Sequence, residues 1–301
     1  MTCLVIVSWL IPAPAKGAAC CTSATISGAG RLKIWEDSAL GVSSSWANSI
    51  GSWNAEGEWN AFDETYRETV WLSKVWAIAR VRDDLELSLV LPWVMTTRAI
   101  PNESSSGQGL GHSRIGLRYE AIAIGQYRNV PGLALLAGVT IPTGVRGDEA
   151  TDTLLRTAAT ARGDWAASVA VSLEYAHLPW FVKLDAGRRH FLAYTHAEHD
   201  GPYQLAGLWQ LTLSSGLEVI DDILIFAFSL GVETQGESHL DHREQTSSSR
   251  FSCLPSVSMS WQVNPHLALL STLSRGIAVN ELGMNTNGAL TASLGVRYGH
   301  F

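Results

Sequence analysis

The sequence predicts an all-β fold: an up-and-down antiparallel β-barrel of about twelve strands that spans a membrane. Three observations carry that expectation. From about residue 66 onward apolar side chains recur with period two, not 3.6. The gaps between strand-length windows alternate long, short, long, short. Opposite each apolar face stand small and polar residues, Ser, Gly and Gln, where a solvated sheet would carry Lys and Glu.

Composition removes several other classes. Of 301 residues 46% are hydrophobic and 16% charged, the reverse of the balance that keeps a chain disordered. A formal net charge of -7 offers no basic surface for nucleic acid, so no nucleic-acid partner is expected. No apolar run of about 18 residues exists to make a helical span.

The chain opens on an apolar run, Cys3-Leu4-Val5-Ile6-Val7-Ser8-Trp9-Leu10-Ile11, followed by small residues around Ala13 to Ala19. That run has the length of a secretory h-region, and the small residues suit a cleavage site, although no Lys or Arg precedes it. The expectation is a signal peptide over 1–19 and a barrel domain over 20–301. Cleavage would leave Cys20, Cys21 and Cys253, too few for a disulfide framework. Gly17 stands where a lipoprotein signal carries a large aliphatic, so lipidation of Cys20 is the lesser reading.

Strands are expected near 31–42, 67–80, 85–98, 113–124, 131–141, 166–176, 179–192, 204–218, 222–233, 250–263, 265–275 and 287–300. In 205–219 one face reads Leu205, Gly207, Trp209, Leu211, Leu213, Leu217 and Val219, and the other is polar or small. In 251–263 the apolar face is Phe251, Cys253, Val257, Met259 and Trp261, with Ser252, Ser256, Ser258, Ser260 and Gln262 opposite. The first strand is the weakest, because Glu36-Asp37 interrupts its alternation. Pro92 and Pro255 fall inside strands, delete a ladder donor and predict bulges.

Long connections at 43–66, 99–112, 142–165, 193–203, 234–249 and 276–286 alternate with tight turns rich in Asp, Asn, Gly and Pro. Such a meander puts all long loops at one end, as in bacterial outer-membrane barrels, and both termini at the turn end. Trp76, Tyr175, Trp180, Trp261 and Tyr298 near the turns, with Trp71 and Trp93 near the loops, are placed as two interfacial girdles. The chain ends on Phe301, whose face holds Gly299 and Arg297 instead of the apolar Tyr298, Val296 and Leu294.

Residues 109–144 carry a recognisable pattern: Gly109-Leu110-Gly111-His112, a strand ending Arg118-Tyr119, and a strand ending Pro142-Thr143-Gly144. Together with the ending Gly295-Val296-Arg297-Tyr298 it resembles the outer-membrane family labelled for the MetA pathway of phenol degradation. His112 stands where that family's pattern has Asp. The resemblance implies an outer-membrane β-barrel with a transport role and gives no catalytic residues to carry over.

Two sets of side chains are candidates for function. Lumen-facing positions pair Arg114, Arg118, Lys183, Arg189 and Arg297 with Glu86, Glu120, Glu174, Asp185, Glu218 and Glu233, as a structural charge ladder or a selectivity-setting constriction. Two loops carry His-x-x-His, with His196 and His199 in one and His239 and His242 in the other, a donor set suited to Zn or Cu. A membrane hydrolase is a weaker alternative, since no His-x-Ser pair shares a strand face and no catalytic residue stands out. No cofactor is expected. The leading expectation is a channel or passive transporter in the bacterial outer membrane for small molecules, hydrophobic or aromatic ones among them. Its partners would be the lipid bilayer, the outer-membrane assembly machinery and a small-molecule solute. The alternative is a non-conducting barrel that binds metal or a surface partner through its His-bearing loops.

Overall fold

The computed structural model describes residues 29–63, 65–127, 129–150, 155–161, 165–195, 201–220, 223–241 and 243–301. The expected signal peptide, Cys20 and Cys21, and His196, His199 and His242 lie outside the described residues. Twelve long strands build the wall: β1 (Ser38–Trp53), β2 (Arg67–Arg82), β3 (Leu85–Ile100), β4 (Ser113–Ile122), β5 (Gly132–Ile141), β6 (Ala166–His177), β7 (Trp180–Phe191), β8 (Leu208–Ile220), β9 (Leu224–Gln235), β10 (Arg250–Gln262), β11 (Leu267–Arg275) and β12 (Thr286–His300). Each pairs antiparallel with its sequence neighbours. β1 pairs with β12 from Ser38↔His300 to Trp53↔Thr286, so the sheet closes on itself and leaves no edge.

Alternation within the strands sets which face is which. Leu211, Leu213, Phe228, Val257 and Leu294 are 45–72% exposed, with Trp209 at 55%. Their lumen-facing neighbours Ser214, Ser229 and Ser258 are 1–6% exposed. An apolar outside around a polar inside is the inversion that lipid requires. Arginine at Phe228, midway along β9, is expected to cost about 2–4 kcal/mol of folding free energy in lipid. A urea titration in vesicles reads it as an earlier midpoint; an unchanged midpoint would contradict the orientation.

The turns hold the residues expected of them. In the β10–β11 turn the Asn264 side-chain oxygen accepts from the backbone of His266 and of Leu267, both at 2.9 Å. Gly125 sits at φ 76°, a left-handed position in the β4–β5 turn.

Four expectations need correction. Strand β1 runs over 38–53, not 31–42, because residues 31–37 leave the wall and enter the lumen. Much of the expected loop 43–66 is therefore wall. The expected loop 99–112 is mostly a hairpin: β3 extends to Ile100, and a strand at Glu103–Leu110 pairs with its loop-side half. Pro92 makes no bulge in its own strand; it lies where β3 changes partner, opposite the break at Gly111-His112 between that strand and β4. Pro255 likewise keeps register with Leu230, and pairing with β11 begins only at Ser256. Finally, Trp76 is inside the barrel, 7% exposed, with its ring on Gly41, where a Cβ would lie 2.1 Å from ring carbon Cζ2. Trp71, Trp93, Trp180, Trp261 and Tyr298 face outward as expected, at 42–52% exposure.

Candidate functional site: the barrel lumen

At the turn end the lumen is filled by the chain's own segment 29–37. Ala29 and Leu32 pack with Ala39, Trp76, Ile78 and Val90 in one buried apolar cluster. Polar ties surround it. The Arg31 guanidinium donates to Glu174 at 3.2 Å and lies 3.8 Å from Glu120. The Leu32 amide donates to Glu86 at 3.3 Å. Arg80 donates to the carbonyls of Lys33 at 2.8 Å and Ile34 at 2.9 Å. Glu36, 0% exposed, accepts both terminal nitrogens of Arg297, and Gly299 leaves its carboxylate room. Burial pushes the Glu36 carboxyl up, but the hydrogen bonds and charge of Arg297, with help from Lys33, outweigh it and hold the group below its ordinary value.

The eleven charged residues occupy the inward-parity positions of their strands, and the turn-ward ones form a network. Arg118 pairs with Glu120 at 3.3 Å and Lys183 with Asp185 at 3.0 Å. Glu174 and Arg297 meet their partners on segment 29–37, whereas strand-to-strand pairs were expected. Glu86, Glu174, Lys183, Asp185, Glu218 and Arg297 are all buried, so this end is a compact, nearly balanced ionic filling.

The loop-ward half differs. Lys74 on β2, Arg114 on β4 and Arg189 on β7 are half-buried, and among the described residues none has a carboxylate within ion-pair distance. Lys74 and Arg114 feel each other's charge, as do Arg114 and Arg189, and Glu233 is the carboxylate that acts on both arginines. Glu233 itself is exposed and accepts a hydrogen bond from Gln210 at 2.5 Å. The inward positions of β10 to β12 present hydroxyls to this space, Ser256, Thr272 and Ser293 among them. Leu254 adds an apolar spot, 43% exposed. Lys74 was absent from the expected set, yet parity identifies it: Trp71 faces lipid, so Lys74 and Trp76 must face inward.

Above this level the loops converge. Glu68, Arg98 and the loop at 142–161 meet, with Arg98 donating to Glu68 at 2.7 Å and to the Leu155 carbonyl at 2.8 Å. Ser105 and Thr157 share a hydrogen bond at 2.8 Å. Arg146 of that loop lies over the ring of Tyr194 at 4.5 Å. The loops before and after β8–β9 join through Gln204↔His239 and Tyr203↔Leu240. His239 is half-buried and lies 3.8 Å from Glu244. Among the described residues no group of three His, Cys, Asp or Glu is placed to hold a metal ion.

A closed twelve-strand barrel with an apolar outer belt, aromatic girdles and a charged lumen defines the class: a β-barrel of the bacterial outer membrane. Solved structures agree. The chain is similar to the COG4313 outer membrane channel from Pseudomonas putida F1, at 15% identity over 88% of this chain and 95% of that one, with a TM-score of 0.69. It is also similar to the beta domain of the Bordetella autotransporter BrkA, at 13% identity over 88% and 99% of the two chains, with a TM-score of 0.52. At these identities the likeness is one of fold. No family model matches the chain, and no curated protein does.

Proposed function

We propose that the protein is a passive outer-membrane channel for small organic molecules, aromatic ones among them, favouring those that carry negative charge. One observation carries this reading: Lys74, Arg114 and Arg189 face the lumen without an ion-pair partner among the described residues, where Glu233 is the carboxylate that acts on the two arginines. Charges that only fill space are paired, as they are at the turn end; unpaired ones lining a wet passage attract the opposite ion. The facing hydroxyls accommodate a polar solute, and Leu254 offers contact for an apolar body. The resemblance at 109–144 to the MetA-pathway family and the fold of an outer membrane channel support transport over catalysis. The reading assigns no catalytic step to any residue.

Planar bilayers test it. With a tenfold KCl gradient the reversal potential is expected to show chloride more permeable than potassium. A silent barrel, or one preferring potassium, would remove the proposal.

A further inference from the structure

The lipid-facing side of the barrel carries a groove of about 950 Å³ that the transport reading does not use. Its walls are two rows of outward side chains that follow the hydrogen-bond direction from strand to strand. One row runs Leu85↔Tyr119↔Leu135↔Val171↔Ala186↔Leu211↔Val232. The other runs Leu87↔Leu117↔Ala137↔Val169↔Arg188↔Trp209↔Thr234. Seven strands at about 4.8 Å spacing make it about 29 Å long. Because the strands tilt, it climbs from Leu85, at the turn end of β3, to Thr234, near the loop end of β9. Ala137 and Ala186 leave its middle open.

The groove is apolar except at its loop-ward end. Arg188 is the one Asp, Glu, Lys or Arg among the described outward positions of β5 to β8, and no carboxylate among the described residues pairs with it. Its guanidinium lies over the Trp209 ring at 5.0 Å. Gly207 makes room for it, since a Cβ there would lie 3.2 Å from the Arg188 Nε. A second hollow of about 290 Å³ adjoins the groove, sharing Val169 and Arg188 and adding Ala167, Ser168 and His190. A buried-membrane arginine without an anion is costly. One beside a hollow at the interface, braced by an indole and sharing that hollow with an imidazole, has the chemistry to hold a phosphate through charge-assisted hydrogen bonds.

We propose that this face binds an anionic lipid of the outer leaflet, with its phosphate on Arg188 and His190 and an acyl chain along the groove. The loop end of such barrels faces outward, which places the headgroup hollow at the outer leaflet's polar boundary. The occupant is a lipid and not a free anion, because the hollow opens into the apolar groove, which suits an acyl chain and offers a free anion nothing.

The test is native mass spectrometry of the purified full barrel, delipidated and then offered a diphosphorylated acylated glycolipid, the same lipid without phosphates, or inorganic phosphate. One bound phosphorylated lipid per barrel is expected, with at least tenfold weaker retention for Arg188→Leu and for the groove-filling Ala137→Trp. Leucine suits a lipid-facing site, so Arg188→Leu is expected to fold normally by heat-modified gel mobility. Equal retention by Arg188→Leu, equal retention of the phosphate-free lipid, displacement by millimolar inorganic phosphate, or a dimer in place of the lipid adduct would each overturn the proposal. None of these readouts depends on conduction.

Discussion

Glu36→Gln is expected to raise single-channel conductance several-fold, because it releases the segment that fills the turn end of the lumen. Glu36 and Arg297 form a buried, two-pronged ion pair, and breaking one half of such a pair costs about 3–5 kcal/mol because the remaining charge stays desolvated. The other ties of segment 29–37 include the ion pairs of Arg31 with Glu174 and Glu120, a hydrogen bond from Lys33 to Gln262, backbone hydrogen bonds to Glu86 and Arg80, and the contact of Ala29 and Leu32 with Trp76. The Glu36–Arg297 pair is the most buried of its ionic contacts. The wall does not depend on it, since β1 pairs with β2 and β12 along most of its length. The variant barrel should therefore keep its shifted mobility on unheated gels while its conductance increases. Acid should mimic the substitution. A carboxyl held below its ordinary value of 4.5 stabilises the docked segment fully above that range and loses the contribution as pH falls through the lowered value. Conductance flat from neutral to acid pH, and unchanged in Glu36→Gln, would show that the segment does not limit flow.

The double variant Arg114→Glu/Arg189→Glu is expected to turn an anion-preferring channel into a cation-preferring one. It converts three cations facing one carboxylate into one cation facing three. At about 8 Å, and an effective dielectric between about 20 and 80, each charge acts on a passing ion by about 0.5–2 kcal/mol. The combined change should exceed tenfold in the permeability ratio. Lys74→Ala should move it the same way by less. The effect should shrink between 0.1 M and 1 M salt, as the screening length falls from about 10 Å to 3 Å. A ratio that stays on the anion side in the double variant would move the selectivity elsewhere in the lumen.

The barrel was legible because a strand crossing lipid has to satisfy two local constraints at once. Its side chains alternate between hydrocarbon and lumen, and its ends carry turn-formers or aromatics. Eleven of the twelve strands lie close to their expected positions for that reason. β1 did not, and its failure is instructive: Glu36-Asp37 broke the alternation because those residues are not wall. The same parity places the charged residues on the inward face, and it places Lys74 there too: Trp71 and Trp76 are five residues apart, so they cannot share a face, and with Trp71 in lipid both Trp76 and Lys74 turn inward.

The sequence by itself determined the strand count, the end at which the loops lie, and which side chains turn inward, since each follows from period and spacing within one strand and its neighbours. Only the tertiary structure decided what meets across the interior. That Arg297 answers Glu36 from 261 residues away, that Lys74, Arg114 and Arg189 have no ion-pair partner among the described residues, and that a lipid-facing groove ends on Arg188 depend on closure and stagger. Those quantities are global: they are set by how twelve tilted strands join into one ring, and no local pattern encodes the distance between two side chains on opposite walls.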